Sequence, residues 1–279
     1  MKNFMIKLFL TILVAAMPLV AYAEEESSSI AFEVKFVLDE KVLDASDKSK
    51  IDSAYIETFG LNKVTPINVV YIDTDDRTFL NAGWINRLRV KGGADKFEYT
   101  FKKRYSVEGD NIDAAVAKAK ADGLADAGFE AEIDWSFDKM TLSYKLDVDV
   151  SNEGFEALAL PSVADAVKTA NSNMPKIEMN TNKKNWGSKA LKSSGFVGPV
   201  VFNRYKGKFE GQKIDLEVWP IENQKTKEIR YIVELSFDAD SYEEAKETRQ
   251  TIMEKLYELE LLKEASSLKT NLMYDAYTK

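Results

Sequence analysis

From Ile30 the chain alternates in character residue by residue. In IAFEVKFVLD, Ile30, Phe32, Val34, Phe36 and Leu38 share one face and Ala31, Glu33, Lys35 and Val37 the other, which is the period of a β-strand. The same period recurs in INRLRVK (85–91), FEYTFKKRY (97–105), KIDLEVW (213–219) and RYIVELSF (230–237), each time with charges on one face and apolar side chains on the other. FEAEIDWSF (129–137) and TLSYKLDVDV (141–150), separated by Asp138-Lys139-Met140, read as a further strand pair.

Helical periodicity is rarer. Ser241 followed by Glu244 has the spacing of a capping box, and Ala245, Ile252, Leu256 and Leu259 then fall on one side, which predicts a helix after Ser241. The alanine-rich run from Asn111 predicts a second helix, ended by Gly128, and SVADAVKTAN after Pro161 a third, shorter one. The polar stretch between Pro175 and Gly198 reads as loop or a partly ordered excursion. Many alternating strands and few long helices predict an antiparallel α+β protein.

The first 23 residues stand apart from that pattern. Lys2 and Lys7 precede the apolar run Leu8–Val20, which is too short to span a bilayer, and Ala21-Tyr22-Ala23 supplies a small-residue cleavage site. This predicts a signal peptide cleaved after Ala23, with a retained anchor as the weaker alternative, a periplasmic or secreted chain with no membrane attachment after cleavage, and one domain over 24–279 with an enlarged middle at about 106–199.

The net charge is −8, and losing Lys2 and Lys7 makes the exported chain more acidic still, so nucleic acid is excluded as an expected partner. There are no cysteines, so the fold rests on packing without disulfides. There are no histidines either, which removes the commonest general base and the usual zinc ligand.

The charged strand faces admit two readings. An antiparallel sheet often leaves one face wet, and the charges are then merely solvated. If instead the sheet closes with its polar face inward, Arg87, Arg89, Lys91, Lys102 and Arg204 meet Glu33, Asp215, Glu217 and Glu234 around an enclosed channel. Guanidinium and ammonium groups grip polyphosphate, whereas carboxylates repel it unless Mg²⁺ or Mn²⁺ bridges the two. Phosphoryl transfer needs little beyond positioning and charge neutralisation, and no histidine.

The order Tyr71-x-Asp73-Thr74-x-Asp76, then Leu80, Gly83, Arg87-Leu88-Arg89 and Thr100-Phe101-Lys102 resembles the CYTH, or triphosphate tunnel metalloenzyme, superfamily, with Asp75 in place of the usual proline. FEVKF stands where that family has its Glu-x-Glu-x-Lys strand, and the C-terminal strands and capped helix are similar to its second half, so the resemblance covers about 30–105 and 200–277. It implies a closed antiparallel eight-stranded β-barrel with flanking helices, acting with Mg²⁺ or Mn²⁺ on a triphosphate or polyphosphate-type small anion. It further implies that Lys35, Arg87, Arg89, Lys102 and Arg204 bind substrate and that Glu33, Glu217 and Glu234 hold metal.

Two positions depart from the motif: Ala31 replaces its first glutamate, and Ser236 stands where a second acid often follows Glu234. The expected function is therefore an exported hydrolase of tripolyphosphate or a related triphosphate. The alternatives are a tunnel that binds such an anion without turnover, and a scaffold whose middle binds a protein.

Overall fold

The computed structural model describes residues 30–124, 127–266 and 269–278; the expected signal segment lies outside them. Ten strands form in chain order: β1 (Ala31–Leu38), β2 (Lys63–Asp73), β3 (Trp84–Lys91), β4 (Lys96–Val107), β5 (Glu130–Trp135), β6 (Met140–Ser151), β7 (Gly195–Phe209), β8 (Gln212–Glu222), β9 (Ile229–Ala239) and β10 (Leu262–Lys263). The helices are α1 (Ser53–Thr58), α2 (Thr78–Asn81), α3 (Ile112–Ala121), α4 (Val163–Asn173), α5 (Lys176–Met179), α6 (Trp186–Leu191), α7 (Tyr242–Glu258) and α8 (Lys269–Tyr277). No helix among the described residues is long and apolar enough to cross a membrane.

The sheet closes on itself in the order β1-β5-β6-β4-β3-β2-β7-β8-β9, and β9 pairs back to β1 along Phe32–Leu38. Closure leaves no free edge inside the ring. The expectation of eight antiparallel strands is corrected here. The barrel has nine strands and is mixed, because β5 runs parallel to β1, Ala31 facing Glu132 and Glu33 facing Asp134, while β10 adds a short extra pairing at Val37 and Leu38. The enlarged middle is the cause: it feeds β5 and β6 into the wall, with α3 on the path that leads from β4 to β5.

Period two decides what each strand buries. Phe32, Val34, Phe36, Leu88, Phe97, Phe101, Leu216 and Leu235 point outward into a core shared with Ala115 and Ala119 of α3, Ala166 and Ala170 of α4, and Ala245, Ile252 and Leu256 of α7. Each large apolar side chain buried there contributes about 1.5–3 kcal/mol. In α7 the cap forms as the spacing predicts, with Ser241 Oγ accepting from Glu244 N at 3.2 Å, although the Glu244 carboxylate reaches back to Asp240 N at 3.0 Å.

Two helical readings change. α3 stops at Ala121, well before Gly128, because Gly123 already takes the left-handed conformation (φ 82°) in which the backbone N–H of Leu124 returns to the Ala119 carbonyl. The stretch after Pro175 is not simply loop: it forms α5 and α6 and then opens β7 at Gly195. Helices this short carry too few turns to show a period, yet Leu191 and Glu178 are buried by tertiary contact.

A second apolar cluster lies inside the barrel. Val69, Tyr71, Ile85, Phe202 and Trp219 meet Met273 and Tyr274 of α8, which plugs one half of the interior. The helix is latched from the β2–α2 turn: Tyr274 Oη donates to Asp73 Oδ2 at 3.0 Å, and Arg77 reaches Asp275 at 2.8 Å. The tunnel is thereby stoppered at that end.

Candidate functional site

The half of the barrel left open by α8 is a cavity of about 950 Å³. All eight residues singled out by the resemblance, Glu33, Lys35, Arg87, Arg89, Lys102, Arg204, Glu217 and Glu234, line it. The motif residues Asp73, Thr74 and Asp76 do not. Asp73 instead accepts the backbone N–H groups of Thr74, Phe79 and Leu80 at 2.7–3.0 Å, so it caps α2 and holds α8.

Register accounts for the convergence. β4 sets Lys102 opposite Lys145 of β6, two like charges that repel when directly across a ladder. Glu132 of β5 resolves this, placing Oε1 2.6 Å from Lys102 and Oε2 2.9 Å from Lys145. Asp134, two residues on, takes Lys102 at 2.9 Å, Ser143 Oγ at 2.6 Å and the Lys35 ammonium, which also lies 2.7 Å from Glu33. Carboxylate oxygens of Glu33, Glu132 and Asp134 come within 4.8 Å of one another.

Electrostatics follow from that interleaving. Burial by itself lowers the pKa of Lys35, but Asp134 and Glu33 outweigh it and hold the ammonium well above the ordinary lysine value. Burial likewise raises the Asp134 pKa, and Lys102 and Lys35 overcome it, so the carboxyl sits well below its usual range. Glu33 is raised, by burial first and then by Asp134 and Glu132, against the pull of Lys35. Three hard-oxygen donors this close together are a group that could hold a divalent metal.

Glu217 and Glu234 are arranged differently. They face each other directly across β8 and β9, both buried, and the ammonium of Lys269 lies between them, 2.5 Å from Glu217 and 2.6 Å from Glu234. Arg204 adds two contacts to Glu217, at 2.8 Å from Nε and 2.6 Å from a terminal nitrogen, as the cross-strand pairing of 204 with 217 dictates. The Glu217 pKa is lowered: burial opposes this, and Lys269 and Arg204 prevail.

The arginines divide. Arg89 is tied to Glu98, which also accepts Lys91 at 3.0 Å, and burial with the adjacent Arg87 brings the Arg89 pKa down to about 10, still cationic near neutrality. Arg87 donates to Thr100 Oγ1 at 3.1 Å and, like Arg104, has no carboxylate in ion-pair range among the described residues. The Nε atoms of Arg87 and Arg104 are buried with no hydrogen-bond partner.

Residues the sequence reading passed over include Glu132, Asp134, Lys145, Arg104 and Lys269. The alternation Glu132-x-Asp134 on a strand facing the barrel interior carried a usable signal. Lys269 carried none, since it begins a helix of nine residues and joins the site only through α8 docking.

No family model matches the sequence, and no curated protein sequence does. Similarity to solved structures is found at the level of the fold. HpAC1 of Hippeastrum, described as an adenylyl cyclase with a dominant triphosphatase activity, superposes with TM-score 0.51 at 10% identity, covering 86% of this chain and 93% of its own. A Bacillus halodurans protein assigned as an adenylate cyclase gives 0.45 at 13% identity over 82% and 90%, and PH1819 of Pyrococcus horikoshii 0.42 at 16% over 87% and 98%. The likeness to HpAC1 extends over most of both chains and is a likeness of fold.

Proposed function

We propose that the protein is an exported, metal-dependent phosphohydrolase acting on inorganic tripolyphosphate or a related triphosphate. One observation carries the reading: Arg87 and Arg104 line the cavity with no carboxylate in ion-pair range among the described residues, beside a carboxylate trio. Guanidinium forks without a carboxylate partner are suited to a polyanion. The fold likeness to a protein whose dominant activity is that of a triphosphatase supports the same reaction class. Export rests on residues 1–23 alone.

In this reading Arg87, Arg89 and Arg104 bind and orient the phosphate chain from β3 and β4, and Lys35 and Lys102 hold the trio in place while lending positive charge to the cavity. Glu33, Glu132 and Asp134 would hold Mg²⁺ or Mn²⁺, which when bound neutralises phosphate oxygens and polarises the phosphoryl group. Helix α8 keeps bulk water from one end of the cavity.

A second reading has a specific observation in its favour. Every carboxylate of the trio already contacts a lysine ammonium, which is the arrangement of a tunnel that grips an anion without turnover. Phosphate release from tripolyphosphate, measured with and without Mn²⁺, separates the two. Metal-dependent release that disappears in Arg87→Ala supports the hydrolase, tight binding without release supports the binder, and absence of polyphosphate binding by calorimetry defeats both.

A further inference from the structure

Two buried carboxylates directly opposite on adjacent strands, as Glu217 and Glu234 are, repel each other and need a counter-cation. Resemblance assigns that place to a metal. The structure fills it with Lys269, whose ammonium contacts both acids at 2.5 and 2.6 Å. Glu217 has no vacancy left: Oε1 takes the Arg204 guanidinium, and Oε2 takes Lys269 and the indole N–H of Trp219 at 2.8 Å. Two acids face two cations, so the local charge is balanced without an ion.

We propose that Lys269 is a resident cation standing in for a metal between Glu217 and Glu234, so that α8 both seals the barrel and keeps this acid pair from recruiting metal. Metal binding is then confined to Glu33, Glu132 and Asp134.

Tethering makes the substitution durable. Lys269 begins a helix whose Met273 and Tyr274 are fully buried inside the barrel, and Tyr274 is bonded to Asp73. Its ammonium also lies 4.9 Å from the centroid of the Trp219 ring, a cation–π contact on the same side chain that braces Glu217. A divalent ion that demands oxygens at about 2.0–2.1 Å could enter only by expelling the ammonium and loosening α8. Glu234 Oε2 is buried with no partner, the ligand atom that such an ion would claim first once Lys269 is gone.

The proposal deepens the metal-dependent reading and is tested without substrate, by titrating Mn²⁺ into the full chain and following free Mn²⁺ by electron paramagnetic resonance. Glu234→Gln is expected to leave the wild-type stoichiometry and affinity unchanged, whereas Glu132→Gln weakens binding. Lys269→Met is expected to gain one Mn²⁺ per chain, a gain lost again when Glu234→Gln is added and absent from Lys269→Arg. A drop in Mn²⁺ binding in Glu234→Gln, or no gain in a folded Lys269→Met, overturns the proposal. Should Lys269→Met fail to fold by circular dichroism, the Glu234→Gln comparison decides alone. Failure of the hydrolase reading would register separately, as absence of phosphate release with these titrations unchanged.

Discussion

Ala31 stands in register with Glu132 across the parallel β1–β5 pair. The position that lost its carboxylate in the Glu-x-Glu-x-Lys pattern thus has a carboxylate beside it on the neighbouring strand, with Asp134 beside Glu33 one step along. A carboxylate therefore stands next to Ala31 in space.

Glu132→Gln should therefore lower Mn²⁺ affinity by at least about tenfold, the cost of losing even an outer-shell partner at many metal sites. Ala31→Glu should bring no gain, since it adds a like charge next to Glu132. Isothermal titration with Mn²⁺ checks both, and a gain in Ala31→Glu would show that Glu132 does not serve that position.

Arg87→Ala removes from the cavity wall a guanidinium that has no carboxylate partner among the described residues. Charge-assisted hydrogen bonds of this kind contribute about 1.5–3 kcal/mol each, so tripolyphosphate affinity should fall roughly tenfold to a hundredfold. Thermal stability should change little, because no ion pair of Arg87 is broken. Calorimetric binding at two salt concentrations, alongside the melting temperature, reads both effects.

Lys35→Ala is expected to do more than weaken ligand binding. It strips Asp134 and Glu33 of their shared ammonium inside the barrel, and breaking such a buried pair typically costs about 3–5 kcal/mol. Urea unfolding should show that loss without ligand present. An unaltered midpoint would mean that Lys35 serves the ligand only.

Stability should also fall as pH rises from about 4.5 to about 8, through a group outside the cavity lining. Glu178 of α5 is wholly buried, its oxygens lack partners, and burial pushes its pKa from 4.5 to about 8, with Asp73 adding to the shift and Asn86 and Lys103 opposing it. The folded state keeps a proton that the unfolded chain releases above about pH 4.5, so this contribution is complete below that value and is lost as pH rises through about 8. Glu178→Gln, uncharged throughout, should flatten the decline in melting temperature between about pH 5 and about pH 8. An equal slope in variant and wild type would assign the decline to other groups.

Alternation along single strands was enough to place Lys35 with Glu33, Arg87 with Arg89, and Asp215 with Glu217 on common faces, because side-chain direction in a strand has period two whatever the strand pairs with. The capping box at Ser241 was equally local and equally readable. Which faces meet was not local. The parallel seating of β5 against β1, the ninth strand and the ring closure of β9 on β1 join segments about a hundred to two hundred residues apart, and nothing in a short window encodes such a pairing. The same holds for Lys269, whose place between Glu217 and Glu234 arises only when Met273 and Tyr274 bury themselves in the barrel. Residue chemistry along the chain determined that cations and acids would line one face; tertiary packing decided which acids are paired with lysine and which arginines are left without a carboxylate partner.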